Sequence, residues 1–120
     1  EDKSGNEFHL WTVMGKKMLG KSLLAVAHAR EGNDSITLDI IEQLKKDISS
    51  QTRLYYEHSI EILNNIGKVY KILGRENESK LYFVKALDEM NRIAKNLNED
   101  DKVLFLNNII IHKNITMIAS

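Results

Sequence analysis

The 120-residue chain contains no cysteine and no proline. The first absence excludes disulfides, thiolate metal ligands and thiol catalysis. The second means that no helix need break for want of a backbone N–H. Aromatic residues are sparse at 7%, with one Trp, and charge of either sign cancels, with 17 Lys+Arg against 17 Asp+Glu. The balance holds within each half, 8 basic and 9 acidic residues in 1–60 and 9 and 8 in 61–120. A protein that neutralises phosphates concentrates basic charge, so a nucleic-acid partner is not expected. No apolar run approaches the ~20 residues that cross a bilayer, which argues against membrane insertion. Hydrophobic residues at 42% are ample for a packed domain and too many for a disordered one.

The chain opens on Glu1 rather than Met, and Glu1–Asn6 is a polar lead-in without the basic and apolar regions of a signal peptide. It reads as a piece trimmed from a longer protein, with the cytoplasm as the default compartment. Three N-x-S/T triplets, at Asn33, Asn77 and Asn114, are what eleven Asn in this length produce by chance.

Apolar residues recur at helical spacing almost throughout. Ile60, Leu63, Ile66, Val69/Tyr70 and Leu73 form one stripe; Leu87, Met90, Ile93/Ala94 and Leu97 form another. Gly74-Arg75-Glu76-Asn77 lies between them as a stop and a restart. Gly74 suits a helix C-terminus, and Glu76 or Asn77 the next N-terminus. Earlier, Ser22–Arg30 is helical in pattern, Gly32-Asn33-Asp34-Ser35 is a break with Ser35 as an N-cap candidate, and Ile36–Ile48 resumes. A third break falls at Asn98–Asp101, followed by an apolar helix over Lys102–Ala119. The expectation is an all-α stack of antiparallel helical hairpins joined by short turns.

The units repeat. Leu63-Asn64-Asn65-Ile66 returns as Leu106-Asn107-Asn108-Ile109 after 43 residues, and Ala25 and Gly67, 42 apart, are each followed seven residues later by a glycine. The pattern Leu63-x2-Ile66-Gly67-x2-Tyr70-x3-Gly74-x4-Ser79-x3-Phe83-x2-Ala86 resembles a tetratricopeptide repeat (TPR), and its length is most similar to the long repeats of kinesin light chains. The resemblance implies a TPR-like α-solenoid of about two and a half repeats: a degenerate first helical pair over 7–50, the best repeat over 52–98 and the first helix of a further repeat over 101–120. Gly67 would let the two helices of a hairpin approach closely, and Tyr70 and Phe83 would fill the space beside it. His28 in the Tyr slot and Asn91 in place of the usual proline depart from the pattern.

The resemblance also implies a function. First helices of such stacks line a concave groove that holds a partner segment. Asn65 and Asn108 would bond its backbone, with Asn64, Lys68, Lys71 and Asn107 beside them and the lysines available to acidic residues. Amide bonds between neighbouring helices would explain the same asparagines. The Lys/Asn/Arg set that grips chaperone tails is replaced by Ser22, Val26, Asn65, Leu104 and Asn108, so that ligand class is not expected. The last helix is apolar nearly all round. Leu104, Phe105, Ile109, Ile111, Ile115 and Ile118 would leave an interface for a further repeat or for a second copy in a homodimer. Trp11, Met14 and Met18 could play a similar part at the other end or sit in the core.

One motif competes. Gly15-Lys16-Lys17-Met18-Leu19-Gly20-Lys21-Ser22 satisfies G-x4-G-K-S, the phosphate-binding loop pattern, with Phe8–Met14 as a possible preceding strand. Bulky Lys17, Met18 and Leu19 stand where small residues let such a loop curl, and continued helical spacing through Trp11, Met14, Met18 and Leu19 accounts for the same letters. The four His, at 9, 28, 58 and 112, form no HExxH pair. The expected protein is therefore not an enzyme, has no cofactor or metal, and works by binding a protein or peptide.

Overall fold

The computed structural model describes residues 3–50 and 56–113, with side chains at 15–49, 58–105 and 107. Those residues form five α-helices and no strand: α1 Lys3–Arg30, α2 Asp34–Ser50, α3 Tyr56–Ile72, α4 Glu76–Ala94 and α5 Glu99–Lys113. The all-α expectation holds. Packing follows chain order with one longer step, since α1 lies against α2 and α3, α3 against α4, and α4 against α5.

The two glycine turns are built alike. Gly32 and Gly74 both take a φ of +79°, a region open to glycine because it has no Cβ. At the first turn the Gly32 N–H donates to the Ala29 carbonyl at 3.1 Å and the Asn33 N–H to the His28 carbonyl at 2.9 Å. Forty-two residues on, the Gly74 N–H donates to the Lys71 carbonyl at 3.1 Å and the Arg75 N–H to the Tyr70 carbonyl at 2.8 Å. This paired pattern closes a helix end by satisfying carbonyls left without partners. Asn33 and Arg75 then accept the first bond of the next helix, from the Thr37 and Ser79 N–H groups, each at 3.0 Å. Hence the residue flanking α2 is Asn33 rather than Ser35, and the one flanking α4 is Arg75 rather than Glu76 or Asn77. Arg75 makes no side-chain cap. Its neighbours Glu76 and Glu78 place negative charge at the positive end of α4. The third break does carry a side-chain cap, in which the Asp101 N–H donates to the Asn98 carboxamide oxygen at 2.9 Å.

Burial repeats in the same register. Met18, Ser22, Ala25, Thr37, Ile41 and Leu44 are buried in the first pair; Ile60, Asn64, Gly67, Ser79, Phe83 and Ala86, 42 residues later, are buried in the second. One core joins α1, α2 and α3 through Ala25, Val26, Ile41, Leu44, Ile62, Ile66, Val69 and Tyr70, and a second joins α3 and α4 through Ile60, Leu63, Ala86 and Met90. Tyr70 and Tyr82 pack with ring centres 5.8 Å apart, and the Lys45 ammonium lies 5.0 Å from the centre of the Tyr70 ring, so this cluster links α2, α3 and α4.

The phosphate-loop reading fails on geometry. Gly15–Ser22 is uninterrupted helix within α1, so its backbone N–H groups are committed to the helix rather than curled around an anion. Ser22 is fully buried and its hydroxyl donates to the Leu19 carbonyl at 2.7 Å, while Lys21 pairs with Asp47 of α2 at 3.3 Å. The preceding residues 8–14 belong to the same helix, not to a strand.

Candidate functional site

The asparagine pair in α3 occupies helix-interior positions that intrinsic propensity disfavours, so something else must retain it. For Asn65 the reason is visible. Its carboxamide nitrogen donates to the Ser22 hydroxyl oxygen at 3.1 Å, and that hydroxyl already donates to Leu19. The chain of bonds ties α3 to α1 across 43 residues inside the stack, with Asn65 4% exposed and Ser22 fully buried. The interhelical use of the amides foreseen as the alternative therefore applies to Asn65. Ser22 is the complement that this amide finds on α1.

Asn64 is different. It is 2% exposed, and its side-chain oxygen has no hydrogen-bond partner among the described residues. A buried acceptor without a donor costs about 1–3 kcal/mol. Of the remaining candidates, Lys68 is half-buried on α3, whereas Lys71, and Asn107 on α5, are exposed. The side chain of Asn108 lies outside the described residues. The structure thus brings Asn64, Asn65, Lys68 and Lys71 together on one helix, with the amides turned inward and the lysines more open.

The terminal apolar residues also divide. Leu104 is 62% exposed on α5, and Val103 beside it is 54% exposed. Phe105 packs against the α3–α4 core. The side chains of Ile109 and Ile111, and residues 115 and 118 altogether, lie outside the described residues, as do the side chains of Trp11 and Met14. Met18 is a core residue, 5% exposed.

Two further polar groups knit the stack. On α4, Glu89 accepts from Arg92 at 2.6 Å and from the buried Ser59 of α3. Burial alone would raise its pKa, but these bonds outweigh burial and hold the carboxyl below the usual range. At the first turn the Asn33 amide donates to Nδ1 of His28 at 3.2 Å. No group of three or more His, Asp or Glu that could hold a metal occurs among the described residues, and no described helix is long and apolar enough to cross a membrane.

Comparison with protein-family models, with curated proteins and with solved structures finds no match.

Proposed function

We propose that the chain is a non-catalytic protein-interaction module, a TPR-like stack whose first helices present a face to a segment of a protein partner. The observation that supports this most is the duplicated construction of the two helical pairs: identical glycine turns and matching burial 42 residues apart. Such a stack is a preformed surface, so a partner segment bears most of the ordering entropy. Exposure distributes the roles. Asn65 holds α3 to α1 and meets a partner only by releasing Ser22. The contacts fall instead to Lys71, Lys68 and Asn107, which favours a partner segment with acidic residues.

Selection from a displayed peptide library, comparing the native chain with the Lys68→Glu/Lys71→Glu variant, tests the reading. The native chain should enrich acidic peptides, and the variant should lose that enrichment while its circular dichroism is unchanged. Equal enrichment by both proteins, or none by either, overturns it.

A further inference from the structure

Two exposed helix faces, one on the first helix and one on the last, carry apolar pairs with opposite charge around them. On α1, Leu23 and Leu24 are each 50% exposed, and at 100° per residue they share one stripe with exposed Lys16, Lys17 and Arg30. No acidic residue occurs between Gly15 and Arg30. The next one, Glu31, accepts from the Asn33 amide at 3.4 Å. On α5, Val103 and Leu104 are 54% and 62% exposed, and exposed Glu99, Asp100 and Asp101 precede them.

The stack itself shows what the α1 stripe is suited to receive. Leu24 and Ala27 stand 42 residues before Ile66 and Val69. In α3 those two residues are fully buried in the core shared with α1 and α2. On α1 the equivalent positions are open, with no helical pair among the described residues to cover them.

We infer that a second copy of this chain docks its α5 on the α1 stripe, head to tail, with Val103 and Leu104 against Leu23 and Leu24 and the acidic first turn of α5 facing Lys16 and Lys17. The two surfaces differ, so the contact is heterologous. Each added copy leaves one α1 and one α5 open, and assembly continues beyond the dimer. Opposite charges favour this pairing over α1 on α1 or α5 on α5, where like charges meet.

Sedimentation velocity of the 120-residue chain over a concentration series tests the inference. The native chain should form dimers and then larger species as concentration rises, and should dissociate at about 1 M ionic strength, where the screening length falls to about 3 Å. Leu24→Gln and Leu104→Gln, both at exposed positions, should each weaken association by about tenfold or more with unchanged circular dichroism. An equimolar mixture of the two variants retains one intact α1 and one intact α5, so it should associate and stop at the dimer. A native chain that stays monomeric at every concentration overturns the inference. So does self-association that either substitution leaves unchanged, or a mixture no more associated than its components.

Discussion

The ring of Phe83 occupies the space in which a side chain on Gly67 would begin. A Cβ at Gly67 would lie 2.6 Å from both Cδ1 and Cε1 of that ring, and the ring is 3% exposed, with little room to retreat. The Gly67 backbone carbonyl accepts the Ser79 hydroxyl at 2.9 Å, so a hydrogen bond joins α3 and α4 at this close approach. Gly67→Ala should therefore lose about 1–2 kcal/mol in urea unfolding, since overpacking outweighs the gain in helix propensity. In a Phe83→Leu background the same substitution should cost much less. Equal stability of Gly67→Ala and the native chain would contradict the close approach.

Three other glycines separate backbone strain from crowding. Gly32 and Gly74 have open space where a Cβ would stand, yet both have a φ of +79°, so alanine there should cost about 1 kcal/mol through the backbone alone. Gly20 lies inside α1, also with nothing near its Cβ position, and Gly20→Ala should stabilise by about 0.5–1 kcal/mol. Thermal denaturation of the three variants checks the opposed signs.

The Ser22–Asn65 bond invites a double-mutant cycle. Ser22→Ala leaves the Asn65 amide without its acceptor in a buried place and should cost about 1–3 kcal/mol. With Asn65→Ala already present, removing the hydroxyl should cost less, with a coupling of about 0.5–1.5 kcal/mol in urea denaturation. Additive losses would mean that the bond contributes nothing.

Acid should loosen the α3–α4 pair through Glu89. Its folded-state pKa is depressed, so the stability it contributes is present above the unfolded carboxylate value of about 4.3 and is lost as pH falls through the lower folded value. Glu89→Gln should be less stable than the native chain at neutral pH and approach it as the pH drops below about 4. Guanidine unfolding at a series of pH values measures the gap, and a gap that does not narrow in acid would remove Glu89 from the pH response.

Much of this architecture is legible in one sequence because glycine and helical periodicity mark it directly. Gly74 after a stripe ending at Leu73 announces a helix end, and Gly67 with Phe83 announces a close crossing. The flanking residues at helix starts were less legible. Ser35 has the favoured chemistry for an N-cap, yet the glycine turn fixes the start two residues earlier, at Asn33. Nor did the asparagines declare their direction. Asn64 and Asn65 are adjacent on a helix 17 residues long, so spacing alone does not say which amide faces a neighbour and which faces a partner. Only the position of the Ser22 hydroxyl, 43 residues away, decides for Asn65. The phosphate-loop pattern falls on uninterrupted helix, as the helical spacing through Met18 and Leu19 indicates, because a short pattern records residue types and not whether the backbone is free to curl.

The packing order has a kinetic consequence. Its main contacts join α1 to α2, α1 to α3, α3 to α4 and α4 to α5, and none asks the first helix to find the last within one chain. The longest step, α1 to α3, spans 43 residues at Ser22–Asn65, and the other steps join helices adjacent in the chain, so the search for the native topology is mostly local and folding should be fast for a chain of this length. Each glycine-turned hairpin can form through its own short turn and then dock on the next, and opening can begin at an end and halt at the next helical pair.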